Sequence, residues 1–164
     1  MKPNARYLAR AGVIGAVYAA LTVCLAPISS GLIQCRLAEC MCVLPFFTGA
    51  AVPGLFLGCL IANLLTGAPV YDVVFGSLAT LLAALLTRRM RALWPKYLSP
   101  LPGVLINALV VGWVLVAAYG VRVPYWLACA YVGAGQALAC FGLGLPLLLT
   151  VEKYGGMLFS DGER

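Results

Sequence analysis

The 164-residue chain is 63% hydrophobic and only 10% charged, with a mean hydropathy of +1.01. An average soluble domain carries roughly 25% charged residues, so this composition excludes an ordinary soluble protein and indicates a membrane protein. The net charge is +6, but the basic residues stand at the ends of apolar segments and form no stripe with interleaved aromatics. This pattern argues against a nucleic-acid partner.

The first apolar segment runs from Ala11 to Ala26 and follows a basic start. With residues 5–10 it is long enough for a spanning helix of about 20 residues, and its length favours a retained span over a cleaved signal peptide. Small residues recur along it every three or four positions: Ala5, Ala9, Gly12, Ala16 and Ala20. This face predicts close packing, either inside the same protein or onto a partner subunit.

A polar loop over residues 28–38 leads into a second helix that is predicted to be short. This helix is expected over residues 37–47, is interrupted by Pro45, and lacks the roughly 20 residues that a perpendicular span needs. A short or broken span often marks a cavity. Helix 3 is predicted over residues 51–65 and carries Gly54 and Gly58 as a GxxxG packing pair.

The remaining sequence predicts three longer helices. Helix 4 begins at Asp72, whose carboxylate is predicted either as an N-cap or as part of a binding site, and ends in a basic cluster. Helix 5 is predicted over residues 101–119 and helix 6 over residues 125–149, with a polar tail from Glu152 onward.

The basic residues orient this map of six helices. If the N-terminus is inside, nine of the eleven basic residues are cytoplasmic and only Arg36 and Arg122 lie outside, which satisfies the positive-inside rule. The sequence therefore predicts an all-α integral membrane protein. It forms a single transmembrane domain over residues 1–164, with six transmembrane helices and both termini in the cytoplasm.

Polar side chains within or beside the apolar segments are the strongest indication of function, because such groups are costly unless they are paired or bind a ligand. Arg36 and Glu39, three positions apart, predict either an internal salt bridge or a solute-binding site. The map brings Arg36, Glu39, Asn63 and Asp72 together at the outer ends of helices 1 to 4. The candidate binding residues are Gln34, Arg36, Glu39, Asn63, Asp72, Asn107, Trp113 and Gln136.

Familiar catalytic motifs are absent from the sequence. There is no His, no phosphate-binding loop and no nucleophile elbow, so ATP hydrolysis and zinc chemistry lack their usual parts. We predict no catalytic activity, cofactor or metal. Two other classes stay open: a self-sufficient secondary transporter, although no clear internal repeat is present, and an enzyme that uses Glu39 and Asp72 as acid and base.

The seven cysteines form no C-x-x-C pair. We predict that they are small packing residues. An outer disulfide that involves Cys35 and Cys40 stays open.

The chain resembles the QueT family along nearly its whole length. The motifs that carry the resemblance occur in order as API-S-x-G-x-IQ-x-R-x-x-E over residues 26–39, VLPFFT, PGLFLGCLIANLL, DVVFGSLATLLAALLT, INAL and GLPLLL-x-x-EK. The family comprises substrate-binding S components of energy-coupling-factor (ECF) vitamin transporters, linked to the 7-deazaguanine precursors of queuosine. The resemblance thus implies the ECF S-component fold.

The resemblance also implies partners and a location. Such a protein binds its ligand from outside the bacterial cell membrane. It docks on a transmembrane scaffold subunit that two cytoplasmic ATPases drive. The small-residue face with Gly12, Ala16 and Ala20 matches the alanine motif through which S components meet the scaffold.

The edge of a 7-deazaguanine suggests how the candidate residues would recognise it. One carboxylate, for which Glu39 is our candidate, can accept from both N1–H and the exocyclic amine. Gln34, Asn63 or Asn107 would then donate to the neighbouring carbonyl or contact the pyrrole edge.

Further residues bear on which precursor is bound. Asp72 is the candidate partner for an aminomethyl cation, and Trp113, Tyr119 or Trp126 are the candidates for stacking on the ring. Gln136 departs from the family pattern, which often has an acidic residue there. We therefore expect 7-aminomethyl-7-deazaguanine and queuine about equally, with a different small vitamin-like solute as the alternative cargo.

Overall fold

The computed structural model describes residues 4–26 and 36–159, and this part of the chain is helical, without strands. The first three helices are α1 (Ala5–Cys24), α2 (Leu37–Phe46, a 3₁₀ helix) and α3 (Ala51–Leu65). The next two are α4, which joins a π-helical turn (Asp72–Gly76) to Ser77–Met90, and α5 (Leu101–Ala117). The last, α6, joins Tyr125–Ala137, a π-helical segment (Leu138–Leu143) and Gly144–Phe159.

Four helical segments are long and apolar enough to cross a membrane, namely Ala5–Cys24, Asp72–Met90, Lys96–Ala117 and Tyr125–Gly155. The other two, α2 and α3, are apolar but shorter. At about 2.0 Å per residue in a 3₁₀ helix, α2 reaches roughly 20 Å, against about 30 Å of hydrocarbon. The prediction of a short second helix is confirmed.

The short helix α2 lies at the centre of the molecule. Its residues from Met41 to Pro45 are all buried. Met41 and Leu44 pack in one cluster with residues of α1 and α3, whereas Cys42 and Val43 pack in another with residues of α6. Because α2 is surrounded by other helices, it avoids the exposed backbone that would be costly in lipid.

Helices α1 and α3 approach each other closely through glycine. A Cβ atom added to Gly58 would lie 2.7 Å from the Gly15 carbonyl oxygen, and one added to Gly54 would lie 2.8 Å from that of Ala11. The GxxxG pair of α3 therefore packs against α1 within this chain.

The opposite face of α1 remains exposed. Its members are the small residues predicted to form a packing face, Ala5, Ala9, Gly12, Ala16 and Ala20. A Cβ atom added to Gly12 would have no neighbour within 4 Å. Of the two alternatives for this face, packing within the same protein is therefore wrong. Helix α3 packs on the other side of α1, at Gly15.

Contacts between successive helices show which helix ends lie together. At one end, the Tyr7 hydroxyl donates to the Gly49 carbonyl, and Lys96 pairs with Glu152 at 2.6 Å. At the other end, Arg36 donates to Asn63. Arg36, Asn63 and Asp72, which were predicted to lie at one end of the bundle, are thus together at this second end.

Helix α6 continues beyond its predicted end. The sequence predicted a polar tail from Glu152, but the helix extends to Phe159. The Glu152 carboxylate accepts two hydrogen bonds from Lys96 Nζ, at 2.6 and 2.8 Å. This pairing gives the glutamate a partner while the helix continues, so the predicted helix end at residue 149 was wrong.

The described cysteines are free thiols, and Cys42, Cys59 and Cys140 among them are buried. Their packing role agrees with the prediction for these three. Cys40 is free, while Cys35 and Gln34 lie outside the described residues.

Candidate functional site

The carboxylate of Glu39 lies at the centre of the polar cluster. Glu39 is in the first turn of α2 and its side chain is only 3% exposed. The Tyr18 hydroxyl, from α1, donates to Glu39 Oε1 at 2.6 Å. Tyr18 is itself 1% exposed, so this hydrogen bond holds one carboxylate oxygen in a fully buried position.

Arg36 precedes α2 and reaches across to α3. Its Nη2 donates to Asn63 Oδ1 at 2.8 Å, and Asn63 Nδ2 in turn donates to the Asp72 carbonyl at 3.1 Å. Asn63 thereby ties the start of α2 to the start of α4. Arg36 is also attracted through space to Glu39, but the two charges are held by different neighbours and not by a direct salt bridge between them.

Asn107 of α5 approaches the same carboxylate from another side. It is 2% exposed, and its amide faces the Glu39 carboxylate as a donor. Its Nδ2 nevertheless makes no hydrogen bond of standard geometry among the described residues. A buried amide donor is normally paired, so this atom has hydrogen-bonding capacity that the described part of the protein does not use.

Gln136 lies on the α6 side of the cluster. Cys140, one helical turn further on, directs its thiol towards both Gln136 Oε1, at 3.6 Å, and the Glu39 carbonyl, at 3.5 Å. Gln136 is 2% exposed. The structure therefore connects Gln136 to the α2 backbone through Cys140.

Asp72 and Trp113 lie on the outer side of this cluster with aromatic neighbours. Tyr119, just after α5, donates its hydroxyl to Asp72 Oδ2 at 2.5 Å. Phe75 packs edge-on against Trp113, with ring centroids 5.3 Å apart. Burial, and then the hydrogen bond to Asp72, raise the pKa of Tyr119 well above its ordinary value, so Tyr119 stays a donor at neutral pH.

This contact also decides the alternative roles considered for Asp72. No side-chain hydrogen bond caps the start of α4, and the carboxylate instead accepts from Tyr119. The interpretation of Asp72 as an N-cap is therefore wrong, because its carboxylate accepts a hydrogen bond from Tyr119, beyond the end of α5, and not from the backbone of α4.

Seven of the eight predicted site residues are described, and the structure brings them into two neighbouring groups. An inner group lies around the carboxylate of Glu39: Glu39, Asn63, Asn107 and Gln136 are buried, and Arg36 is half-buried. An outer group, Asp72 and Trp113, is more exposed. The link between the groups is Asn63, which bonds to the backbone of Asp72.

Sequence reasoning missed two tyrosines that complete these groups. Tyr18 stands in an apolar helix, where an aromatic residue is ordinarily read as packing. Tyr119 was considered only as a stacking residue, not as the donor to Asp72. The available signal was that a buried tyrosine hydroxyl usually finds a partner, and that each buried carboxylate needed one.

The arrangement offers a polar ligand both charge and hydrogen bonds in a low-dielectric setting. Glu39 Oε1 accepts from Tyr18, and a carboxylate has the capacity to accept further hydrogen bonds. Next to it stands the Asn107 donor. An acceptor and a donor side by side can recognise a planar group with the complementary pattern.

The fold and this cluster define a helical membrane protein with a buried polar centre. A family model described as "QueT transporter" matches residues 8–153. The match covers nearly the whole chain, and the chain therefore belongs to the QueT transporter family. No curated protein and no solved structure matches it.

Proposed function

We propose that this chain is the substrate-specificity (S) component of an ECF-type importer and that its ligand is a 7-deazaguanine precursor of queuosine. The observation that carries the proposal is the buried Glu39 carboxylate, 3% exposed and oriented by Tyr18, beside the unused donor of Asn107. Such a carboxylate is costly in a membrane protein unless it has a role. Recognition of a ligand edge with two adjacent N–H donors is a role that fits.

Each predicted residue takes a part in this proposal. Glu39 accepts from N1–H and the exocyclic amine, and an amide donates to the carbonyl. Arg36 and Asn63 hold the inner group together, and Gln136 borders it from α6. Asp72 pairs with a cationic substituent, and Trp113 contacts the ring. Gln34, outside the described residues, belongs to the same proposed set.

The proposal includes a membrane orientation. All six helices form one domain in the bacterial cell membrane, with both termini in the cytoplasm and the end that bears Arg36 and Asp72 outside. The basic residues support this orientation, because only Arg36 and Arg122 would lie outside. The ligand would then reach the polar cluster from the outer side.

The exposed small-residue face of α1 supports the proposed partner. Gly12, Ala16 and Ala20 are exposed while the Gly15 side of the same helix is occupied by α3. Small side chains let another helix approach closely in a membrane. We therefore assign this face to docking on the transmembrane scaffold subunit, whose two ATPases supply the energy that this non-catalytic chain does not.

Reconstitution into vesicles tests the proposal. The chain together with an ECF module should import a radiolabelled 7-deazaguanine only when ATP is supplied on the ATPase side. The same chain alone should bind the ligand without accumulating it. Accumulation by the chain alone, driven by an ion gradient, would instead identify a secondary transporter, and chemical conversion of the ligand would identify an enzyme.

A further inference from the structure

The two buried asparagines of the inner group differ in how much of their hydrogen-bonding capacity the protein uses. Asn63 is engaged at both ends, accepting from Arg36 and donating to the Asp72 carbonyl. Asn107 is buried to a similar degree, yet its Nδ2, which faces Glu39, makes no hydrogen bond of standard geometry among the described residues. A buried donor without a partner costs free energy that an arriving acceptor recovers. Asn107 is therefore the amide that has a donor to offer a ligand.

The neighbouring carboxylate determines which end of the Asn107 amide is presented. Asn107 faces Glu39, and the oxygens of a carboxylate accept hydrogen bonds. Turning Oδ1 towards them would bring acceptors together, so the amide keeps its N–H end on that side. The site thus presents a carboxylate acceptor followed directly by an amide donor.

We propose that Asn107 selects ligands that have a carbonyl at purine position 6, because its Nδ2 donates to that oxygen while Glu39 accepts from N1–H and the 2-amino group. This inference rests on the proposed function, since it concerns how a 7-deazaguanine is read. Along that ligand's edge the carbonyl, the N1–H and the amine follow one another, which matches a donor beside a carboxylate. Asn63, in contrast, is a scaffold residue that supports the site without contacting the ligand.

Three ligands test separately whether the carbonyl and the 2-amino group are recognised. 7-Deazaguanine has all three groups. Its 6-thio analogue keeps N1–H and the amine but replaces the carbonyl oxygen with a weaker acceptor, and 7-deazahypoxanthine keeps the carbonyl but lacks the amine. Affinities of the purified full chain are measured by calorimetric titration. The wild-type protein should bind 7-deazaguanine roughly tenfold more tightly than either analogue, as expected for the loss of one hydrogen bond.

The variant Asn107→Ala should change only one of the two affinity ratios, that of 7-deazaguanine to its 6-thio analogue. The preference for 7-deazaguanine over the 6-thio analogue should shrink to about twofold or less, while the preference over 7-deazahypoxanthine should persist, because Glu39 still reads the amine. Ser99→Ala is the matched control, because it also removes a buried polar atom without a partner among the described residues, but near Lys96 and away from the inner group. Both preferences should persist in it.

The outcomes are distinguishable. If Asn107→Ala does not purify as a folded protein, Asn107→Ser keeps a hydroxyl donor with less volume and should restore part of the preference over the 6-thio analogue. The inference is overturned if the preference for 7-deazaguanine over the 6-thio analogue is unchanged in either Asn107 variant, is lost in Ser99→Ala, or is absent in the wild-type protein. The proposed function stands in each of these cases. Failure of the wild-type protein to bind any 7-deazaguanine overturns the proposed function, and the inference with it.

Discussion

At the scale of single residues, Tyr18 is the side chain on which the geometry of the site depends most. It comes from α1, is 1% exposed, and its hydroxyl lies 2.6 Å from Glu39 Oε1. The hydrogen bond fixes one oxygen of a buried carboxylate and thereby orients the whole group. Removing the hydroxyl takes away a partner that water cannot readily replace in so buried a place.

We therefore expect Tyr18→Phe to lower the free energy of unfolding by about 1–3 kcal/mol and to weaken ligand binding. Tyr7→Phe is the matched control, because it also removes a tyrosine hydroxyl, but at the opposite end, where that hydroxyl donates to the Gly49 carbonyl at 3.2 Å. Thermal unfolding and ligand titration of both variants check the prediction. Equal loss of affinity in the two variants would contradict it.

The polar residues also show how far sequence reasoning reaches at this scale. Convergence of Arg36, Asn63 and Asp72 follows from alternating helix directions alone, and the bonds between them agree with it. The engagement of Asp72 by Tyr119 does not follow, because it depends on how far α5 extends beside α4. Which of two asparagines is left without a partner likewise depends on side-chain positions that no pattern in the sequence specifies.

At the scale of helices, glycine determines the closest packing in the molecule. The carbonyl oxygen of Gly15 would lie 2.7 Å from a Cβ atom added to Gly58. Contacts that close involve backbone, which cannot rotate away as a side chain can, so α1 and α3 would have to separate. Because α1 carries Tyr18 and α3 carries Asn63, their separation would also disturb the inner group.

Gly58→Ala should therefore reduce the free energy of unfolding by about 1–3 kcal/mol, measured by thermal or denaturant unfolding in detergent. The control is Gly12→Ala on the exposed face of α1, where an added Cβ has no neighbour within 4 Å and alanine favours the helix. Its stability should be unchanged or slightly higher. If Gly58→Ala were as stable as Gly12→Ala, the close approach would not be needed for stability.

Helix positions were predicted well because apolar length and proline are local signals, and the short α2 is an example. The end of α6 was predicted too early, because the sequence at Glu152 is polar whereas the helix continues to Phe159. The partner of Glu152 is Lys96, 56 residues earlier. A helix end that depends on so distant a partner cannot be read from its own sequence.

At the scale of the whole molecule, two different faces of α1 carry the two parts of our proposal. Tyr18 faces the polar cluster, while Ala16 and Ala20 lie on the exposed face of α1. On our proposal the first surface binds the ligand and the second binds the scaffold subunit. The small-residue spacing was visible in the sequence, but only the structure separates the exposed face from the one that packs on α3.

Enlarging the exposed face should separate binding from transport. The double variant Ala16→Leu with Ala20→Leu should lose at least tenfold of ECF-dependent uptake, since bulky side chains prevent close helix approach, while its ligand affinity stays that of the wild type. Ala134→Leu, at an exposed alanine of α6, is the control and should transport normally. Uptake in reconstituted vesicles and titration of the purified proteins make the comparison.

The central claim is that the buried carboxylate of Glu39 binds a 7-deazaguanine, and calorimetric titration of the purified protein tests it most directly. The ligands are queuine, 7-aminomethyl-7-deazaguanine, 7-cyano-7-deazaguanine and guanine, applied to the wild-type protein and to Glu39→Gln, which keeps the shape of the side chain but replaces one acceptor oxygen with a donor. We expect saturable binding of at least one deazaguanine by the wild-type protein, with a higher thermal midpoint when ligand is bound, and its loss in Glu39→Gln. Wild-type protein that binds none of the deazaguanines, or Glu39→Gln that binds them equally well, would contradict the claim.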